Sequence, residues 1–370
     1  MPLSSARGRS GGAGSATITD VAEAAGVSRQ TVSNVLNAPH RVRAETRERV
    51  ERAIAELGYH PNRMARSLRA SSPGMVGCRI LPVSAGTVAS IQDRFLHALA
   101  EAGQRSDCHV LLFTASESDA PDGAGVSETE RSIALWRAGA VRGVVLYDLT
   151  HDDPRPRELT VAGVPFVAFG RTAAETDGYS WADVDNEAGT AAAVDHLVAA
   201  GHRRIGFLGW PEGSRLGDAR ARGWLSAMDR HGVLRRSHRL DVRGPDTMAG
   251  GTALMTELLN RPEPPTAVVA ATDTLAVGAL HALPHRGRRP GEDVAVVGFD
   301  DTPAAAALGL TSVRQPIEEV GRLIMAELLR LTGASEGEAD ESGRMRQLLA
   351  PELVIRTSSA PGAAEDPVRR

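Results

Sequence analysis

Apolar residues recur along this chain at two different periods, and the change of period divides it. Val32, Val35 and Leu36 repeat at i, i+3 and i+4, and Val50, Ala53, Ile54 and Leu57 repeat in the same way. That spacing predicts helices with one buried stripe. Upstream, Thr17 and Asp20 have the spacing of a capping pair, so a first helix is expected over about 18–25, broken by Gly26. Ser28 is a cap candidate for the second helix, and Gly58 ends the third. Pro61, a good first-turn residue, opens a fourth segment that reaches only Arg69. An isolated helix of that length is marginal in water, so this segment is expected to order only conditionally.

Beyond a linker at 70–74 the pattern becomes short apolar runs alternating with helical spacings. Strands are expected at 76–81, 110–113, 144–147 and 166–169, with helices near 90–104 and 127–138. A second series follows, with helices at 186–200, 217–231, 248–260 and 272–283 and strands at 205–208, 267–270 and 294–299. Two βαβ series predict two open parallel sheets with right-handed crossovers. A further helix at about 317–331, an acidic Gly-rich loop at 333–343 and a last strand near 353–356 complete the chain.

Two helices joined by a short Gly-containing turn form a helix-turn-helix, whose second helix enters the major groove with its N-terminal residues toward base edges. Arg29, Gln30, Ser33 and Asn34 lie on the face opposite the apolar stripe. An Arg can bridge O6 and N7 of guanine, and a Gln or Asn amide can bridge N6 and N7 of adenine. The plainer reading of this face is a solvated helix surface. Leu68, between Arg66 and Arg69, has the character of an apolar wedge between base steps in the minor groove, with its neighbours on phosphate.

Composition agrees with two functions in one chain. All 42 basic residues are Arg, and residues 1–72 hold 11 of them against 6 acids. The overall charge is −4, so a basic head of net +5 is joined to a body of net −9. Residues 1–16 have almost nothing to bury and are expected to be disordered. They lack the apolar stretch of a secretory signal, and no run approaches a membrane span. Cys78 and Cys108 are too few for a disulfide framework and are read as reduced and buried, in a cytoplasmic protein.

The runs TITDVAEAAGVSRQTVSNVLN and RVRAETRERVERAIAELGYHPNRMARSL, then GHRRIGFLG, PTAVVAATDTLAVGAL and DVAVVGFDDTP, resemble the lactose-repressor (LacI) family of bacterial transcription regulators. The resemblance spans 17–357. It implies an N-terminal all-α helix-turn-helix head with a hinge helix, followed by an α/β core like a periplasmic binding protein, built from two parallel-sheet subdomains. The expected division is a 1–16 arm, a 17–60 head, a 61–74 hinge and linker, a first subdomain of 75–184 with 304–331, a second of 185–303 with 332–360, and a 361–370 tail. Base reading is expected from Arg29, Gln30 and Asn34, and contact with the DNA backbone from Thr17, Ser28, Thr31, Ser33, Thr46, Tyr59, Asn62 and Arg66. Asn34 stands where many members carry Arg, and Arg43 where a capping Ser or Thr is usual.

Ligands of open α/β sheets bind outside the carboxyl ends of the strands. Here those positions are Gly170 and Arg171, Gly209 and Trp210, Thr272 and Asp273, and Asp300 and Asp301. Facing sheets with hydroxyl-binding groups and an aromatic wall suit a sugar or another polyol. The resemblance sharpens this to Arg220 and Asp300 as effector-gripping residues, with Thr272 replacing a frequent Asn and Gly170 a frequent Asp. The effector set is therefore Arg171, Trp210, Arg220, Thr272, Asp273 and Asp300. Plainer readings remain for each: Asp273 as a helix cap, Asp300 as a turn former before Pro303, Arg220 as a solvated helix residue, Trp210 and Trp181 as core.

No Walker loop, no H-E-x-x-H and no spaced Cys/His cluster occurs, and the adjacent acids Asp152/Asp153 and Asp300/Asp301 are not thereby aimed at one reacting atom. No enzyme, cofactor or metal is expected. A periplasmic sugar carrier would share the body but need a signal peptide and no basic head. The expected partners are a double-stranded DNA operator, a small sugar-like effector and a second copy of the chain, with no membrane.

Overall fold

The computed structural model describes residues 17–37, 42–57, 74–81, 91–115, 126–172, 178–234, 240–333 and 343–360. The expected arm 1–16, hinge helix 61–69, most of the linker and of the 333–343 loop, and the tail lie outside them. The chain divides into two units, Met1–Ser72 and Pro73–Arg370.

The first unit contains α1 (Ile18–Ala24), α2 (Arg29–Asn37) and α3 (Ala44–Glu56). Thr17 and Asp20 form the expected capping box, and Gly26 at φ 62° makes the turn. Val21, Val32, Val35, Val50 and Ala53 close one small core.

The second unit alternates strand and helix. Its first lobe has β1 (Met75–Arg79), α4 (Ile91–Gln104), β2 (His109–Phe113), α5 (Glu128–Arg137), β3 (Gly143–Leu146), α6 (Arg155–Ala162), β4 (Phe166–Phe169) and β5 (Ser180–Val184). Its second has α7 (Asn186–Ala199), β6 (Ile205–Gly209), α8 (Arg215–Arg230), β7 (Asp241–Arg243), α9 (Met248–Leu259), β8 (Ala267–Ala270), α10 (Asp273–Ala282), β9 (Ala295–Asp300), α11 (Pro303–Ala307) and β10 (Thr311–Arg314). The chain then returns through α12 (Ile317–Leu331) and ends in β11 (Arg346–Leu349) and β12 (Glu352–Val354).

The sheets run β11-β5-β4-β3-β1-β2 and β12-β10-β9-β8-β6-β7, parallel throughout except for the antiparallel β10–β12 pair. Each has its own buried core, around Phe95, Leu99 and Leu328 in the first lobe and around Phe207, Trp224 and Val296 in the second. In the first, α12 lies hard against α4, because a Cβ on Gly321 would stand 2.7 Å from that of Ala98.

Two expected boundaries shift. The crossing back to the first lobe comes not at 304 but at Gln315–Pro316, since β10 is hydrogen-bonded to β9 in the second sheet. Residues 346–349, expected in the second subdomain, form β11 on the edge of the first sheet. Both strands are short and carry polar residues, so they complete sheets whose buried strands are already apolar. The lobes are thus joined three times, at Asp185, at Gln315–Pro316 and at Ala350–Pro351.

Candidate functional site

In the head, Arg29 and Gln30 are exposed at the start of α2, and Asn34 is half-buried one turn on. The Gln30 amide Nε2 donates to Asn34 Oδ1 at 3.1 Å, so two of the three expected base-reading groups hold one another in position. Ser28 caps α2, with its Oγ accepting from the Thr31 N–H at 3.1 Å and lying 2.9 Å from the Thr31 hydroxyl. Thr17 does the same for α1, and Asp20, which accepts from the Thr17 N–H, is held below the usual carboxylate range by that bond. The uncapped N–H groups and positive partial charge at the start of α2 suit phosphate, whereas at α1 the Asp20 carboxylate already takes that place. Ser33 lies on α2 and Thr46 in the first turn of α3. Arg43 stands at the N-cap of α3 and makes no side-chain capping bond. Tyr59, Asn62, Arg66 and Leu68 lie outside the described residues.

In the core, a cavity of about 260 Å³ lies between the lobes. It forms where both sheets reverse strand order, beside β1 and β3 in one and β6 and β8 in the other, the crevice that open α/β sheets offer a ligand. Of the expected residues, Arg171, Trp210, Arg220, Thr272 and Asp300 line it.

Arg220 organises the second-lobe wall. It is 3% exposed; its Nε donates to Asn186 Oδ1 at 2.9 Å, one terminal nitrogen donates to the Ala271 carbonyl, and the other lies 3.6 Å from Asp300 Oδ1. The guanidinium carbon stands 3.7 Å from the Phe299 ring centre and 5.5 Å from that of Trp210, within cation–π range of both. Burial lowers its pKa, and Asp300 is the chief group opposing that. Burial in turn raises Asp300, to about 7, against the pull of Arg220. Asp300 also accepts from Gln315 Nε2 at 2.6 Å, and its backbone sits at φ 114°, a conformation rare outside Gly. The Thr272 hydroxyl both caps α10, accepting from Leu275 N, and donates to Asp246 Oδ1 at 2.5 Å. Burial raises the Asp246 carboxyl, while Thr272, Trp210 and Arg220 lower it.

Asp273 departs from the expectation. It does not line the cavity and does not cap α10, because Thr272 already occupies that role. It is fully buried and accepts from Thr302 N at 2.7 Å and Ser312 Oγ at 2.5 Å, tying the turn after β9 to β10. Asp301 likewise serves structure, in ion pairs of 2.7 Å with both Arg314 and Arg356.

The first-lobe wall mixes apolar side chains with Gln92, Asp148, Arg171 and Asp183. Leu81, Ile91, Phe95, Leu149 and Phe169 face the cavity. The Tyr147 hydroxyl is used elsewhere, donating to Arg79 O at 2.7 Å and accepting from Leu81 N at 3.3 Å. Arg171 pairs with Asp183 at 3.2 Å and stands 5.3 Å over Trp181, which is not in the wall. Asp183 is raised by burial, with Arg215 and Arg171 opposing. Across the seam, Arg94 on α4 donates to the Asp300 carbonyl at 3.1 Å and to Glu318 at 3.0 and 3.2 Å. Sequence reasoning missed Asn186, Asp246, Asp183, Arg215, Gln315 and Arg94, none of which was among the strand-end positions it selected.

Two family models match: "Bacterial regulatory proteins, lacI family" over 17–62 and "Periplasmic binding protein-like domain" over 194–359. The chain is 37% identical to the HTH-type transcriptional regulator CelR of Thermobifida fusca, over 92% of this chain and 98% of the relative. A solved complex of transcriptional regulator CelR with cellobiose matches at 34% identity and TM-score 0.63, covering 93% of this chain and 99% of that one. A lac repressor dimer bound to operator and the anti-inducer ONPF matches at 29% identity and TM-score 0.75, over the same shares.

Proposed function

The chain belongs to the LacI family of bacterial regulatory proteins, and from that premise we propose that it is a repressor that binds a palindromic operator as a homodimer and is released by a sugar-like effector held between its core lobes. DNA binding by a transcriptional regulator is the family's function, and the relatives are regulators rather than enzymes. The observation that carries the effector reading is the buried Arg220–Asp300 pair on the cavity wall. Both groups belong to the lobe that Arg94 ties to the other, so a ligand that rearranges them alters the preferred angle between lobes. The cellobiose complex of CelR supports a sugar as the class of ligand.

Arg29, Gln30 and Asn34 read base edges, and two heads on one dimer place two such sets on half-sites. The sequence around Leu68 supports a wedge at the centre of the site. A few kcal/mol of differential effector affinity is enough to shift such an equilibrium.

Selection of bound sites from random DNA, followed by a screen of sugars for release, tests this. A palindromic consensus, and a sugar that weakens its binding, are expected. An asymmetric consensus, or a ligand that only tightens binding, would refute the palindrome and the repressor readings respectively. Arg29→Ala is expected to relax preference at one position of each half-site, and a uniform loss on all sequences would reduce Arg29 to a phosphate contact.

A further inference from the structure

A single hydrogen bond on the outer face of α2 constrains which base pair that face can select. We propose that Gln30 and Asn34 act as one reading unit, in which the bond from Gln30 turns the Asn34 amide to show DNA its donors, so that Asn34 selects a G·C pair; this rests on α2 being the base-reading helix.

The two amides stand four residues apart, on the face opposite the buried Val32 and Val35. Gln30 is exposed and Asn34 half-buried. A carboxamide carries one acceptor oxygen and an NH2 with two donors. Gln30 Nε2 donates to Asn34 Oδ1 at 3.1 Å, and the consequences for the two residues are unequal. Gln30 keeps its oxygen and one N–H, the two groups that bridge N6 and N7 of adenine. Asn34 keeps both N–H groups, but its oxygen is directed at Gln30. An amide turned that way does not set oxygen and nitrogen side by side against adenine. Guanine instead offers two acceptors, O6 and N7, and thymine offers O4 alone.

Taken singly, a Gln and an Asn would both favour adenine. The bond between them makes the second different from the first. Four residues rise about 6 Å along a helix, close to two base-pair steps of about 3.4 Å, so the two amides address different pairs of one half-site.

Selection of bound sites from random DNA, run on the full chain and its variants, tests this. Asn34→Ala identifies the position that Asn34 reads, as the one whose preference is lost. In the parent, G·C is expected there over A·T by at least about fivefold. Gln30→Ala frees the Asn34 amide, and that ratio is expected to fall at least about fivefold. Gln30→Glu cannot donate and must accept from Asn34 Nδ2, which reverses the bond, so A·T is expected to predominate at the Asn34 position. A bond that only stabilised the helix surface would change affinity and leave the selected pair as it was. A·T at that position in the parent, or the same pair selected by the parent and both Gln30 variants, overturns the inference and leaves base reading by α2 standing. Uniform weakening on all sequences by Asn34→Ala overturns base reading by Asn34 itself, and the inference with it.

Discussion

Replacing Arg220 by Met leaves a long side chain against Phe299 but removes the guanidinium. Three acceptors then lose a partner: Asn186 Oδ1, the Ala271 carbonyl and Asp300 Oδ1. At 3.6 Å, with an effective dielectric of about 20, the lost attraction to Asp300 is about 4–5 kcal/mol. Stranding one member of a buried pair costs about 3–5 kcal/mol. Asp300 has a route out of that penalty, which is to take up a proton. Its carboxyl is already raised to about 7 by burial, so protonation near neutral pH is easy and bounds the loss. The expected destabilisation is therefore on the order of 3 kcal/mol at pH 7, larger at pH 8 and smaller at pH 6. Adding Asp300→Asn removes the stranded charge and should restore about half the loss or more. Denaturant unfolding followed by tryptophan fluorescence reads the core alone, because all four Trp lie between 136 and 224. A single variant within about 1 kcal/mol of the parent, or a double variant no more stable than the single, would refute the account of a charge-compensated wall.

Asp273 gives a pH signature. Burial raises its carboxyl from 3.8 to about 6, so between those values the folded chain keeps a proton that the unfolded chain has lost. Its contribution to stability falls as pH rises through that window. Asp273→Asn should flatten the dependence of unfolding midpoint on pH between 4 and 6 relative to the parent; an unchanged slope would place the titration elsewhere. In the head, Arg43→Ser supplies the capping oxygen that α3 lacks and is expected to stabilise that unit by about 0.5–1 kcal/mol. Loss of stability in that variant would mean the Arg43 side chain has an unrecognised role.

The strands legible in the sequence are those whose residues form an unbroken apolar run, such as 110–113, half-buried, and 144–146, fully buried. Phe166–Phe169 and Ala267–Ala270 are apolar runs walled on both faces, and they occur at the expected positions. The strands Ser180–Val184, Asp241–Arg243, Thr311–Arg314 and Arg346–Leu349 and the helix Arg155–Ala162 gave no such signal, because polar and charged residues interrupt their apolar pattern. That is why both lobe boundaries were misplaced. In the site, the strand-end rule finds Thr272 and Asp300 and the family resemblance finds Arg220. Their partners Asp246, Gln315 and Asn186 lie 26, 15 and 34 residues away, and only the tertiary fold brings them together. Asp273 was misassigned because a strand-to-helix junction offers two polar side chains and the sequence does not say which turns inward.

The three crossings between lobes also bear on the order in which the chain can fold during synthesis. The first sheet begins at Met75 but takes its last strand from Arg346–Leu349 and its packing helix from Ile317–Leu331. Until those residues leave the ribosome, one edge of β5 has no partner, and the core around Phe95 and Leu99 lacks the face that α12 provides. An unpaired strand edge invites association with other chains. The second lobe lacks only β12 once β10 has emerged. The lobe that starts first therefore finishes late, and truncation before residue 346 would leave an open sheet rather than a smaller domain.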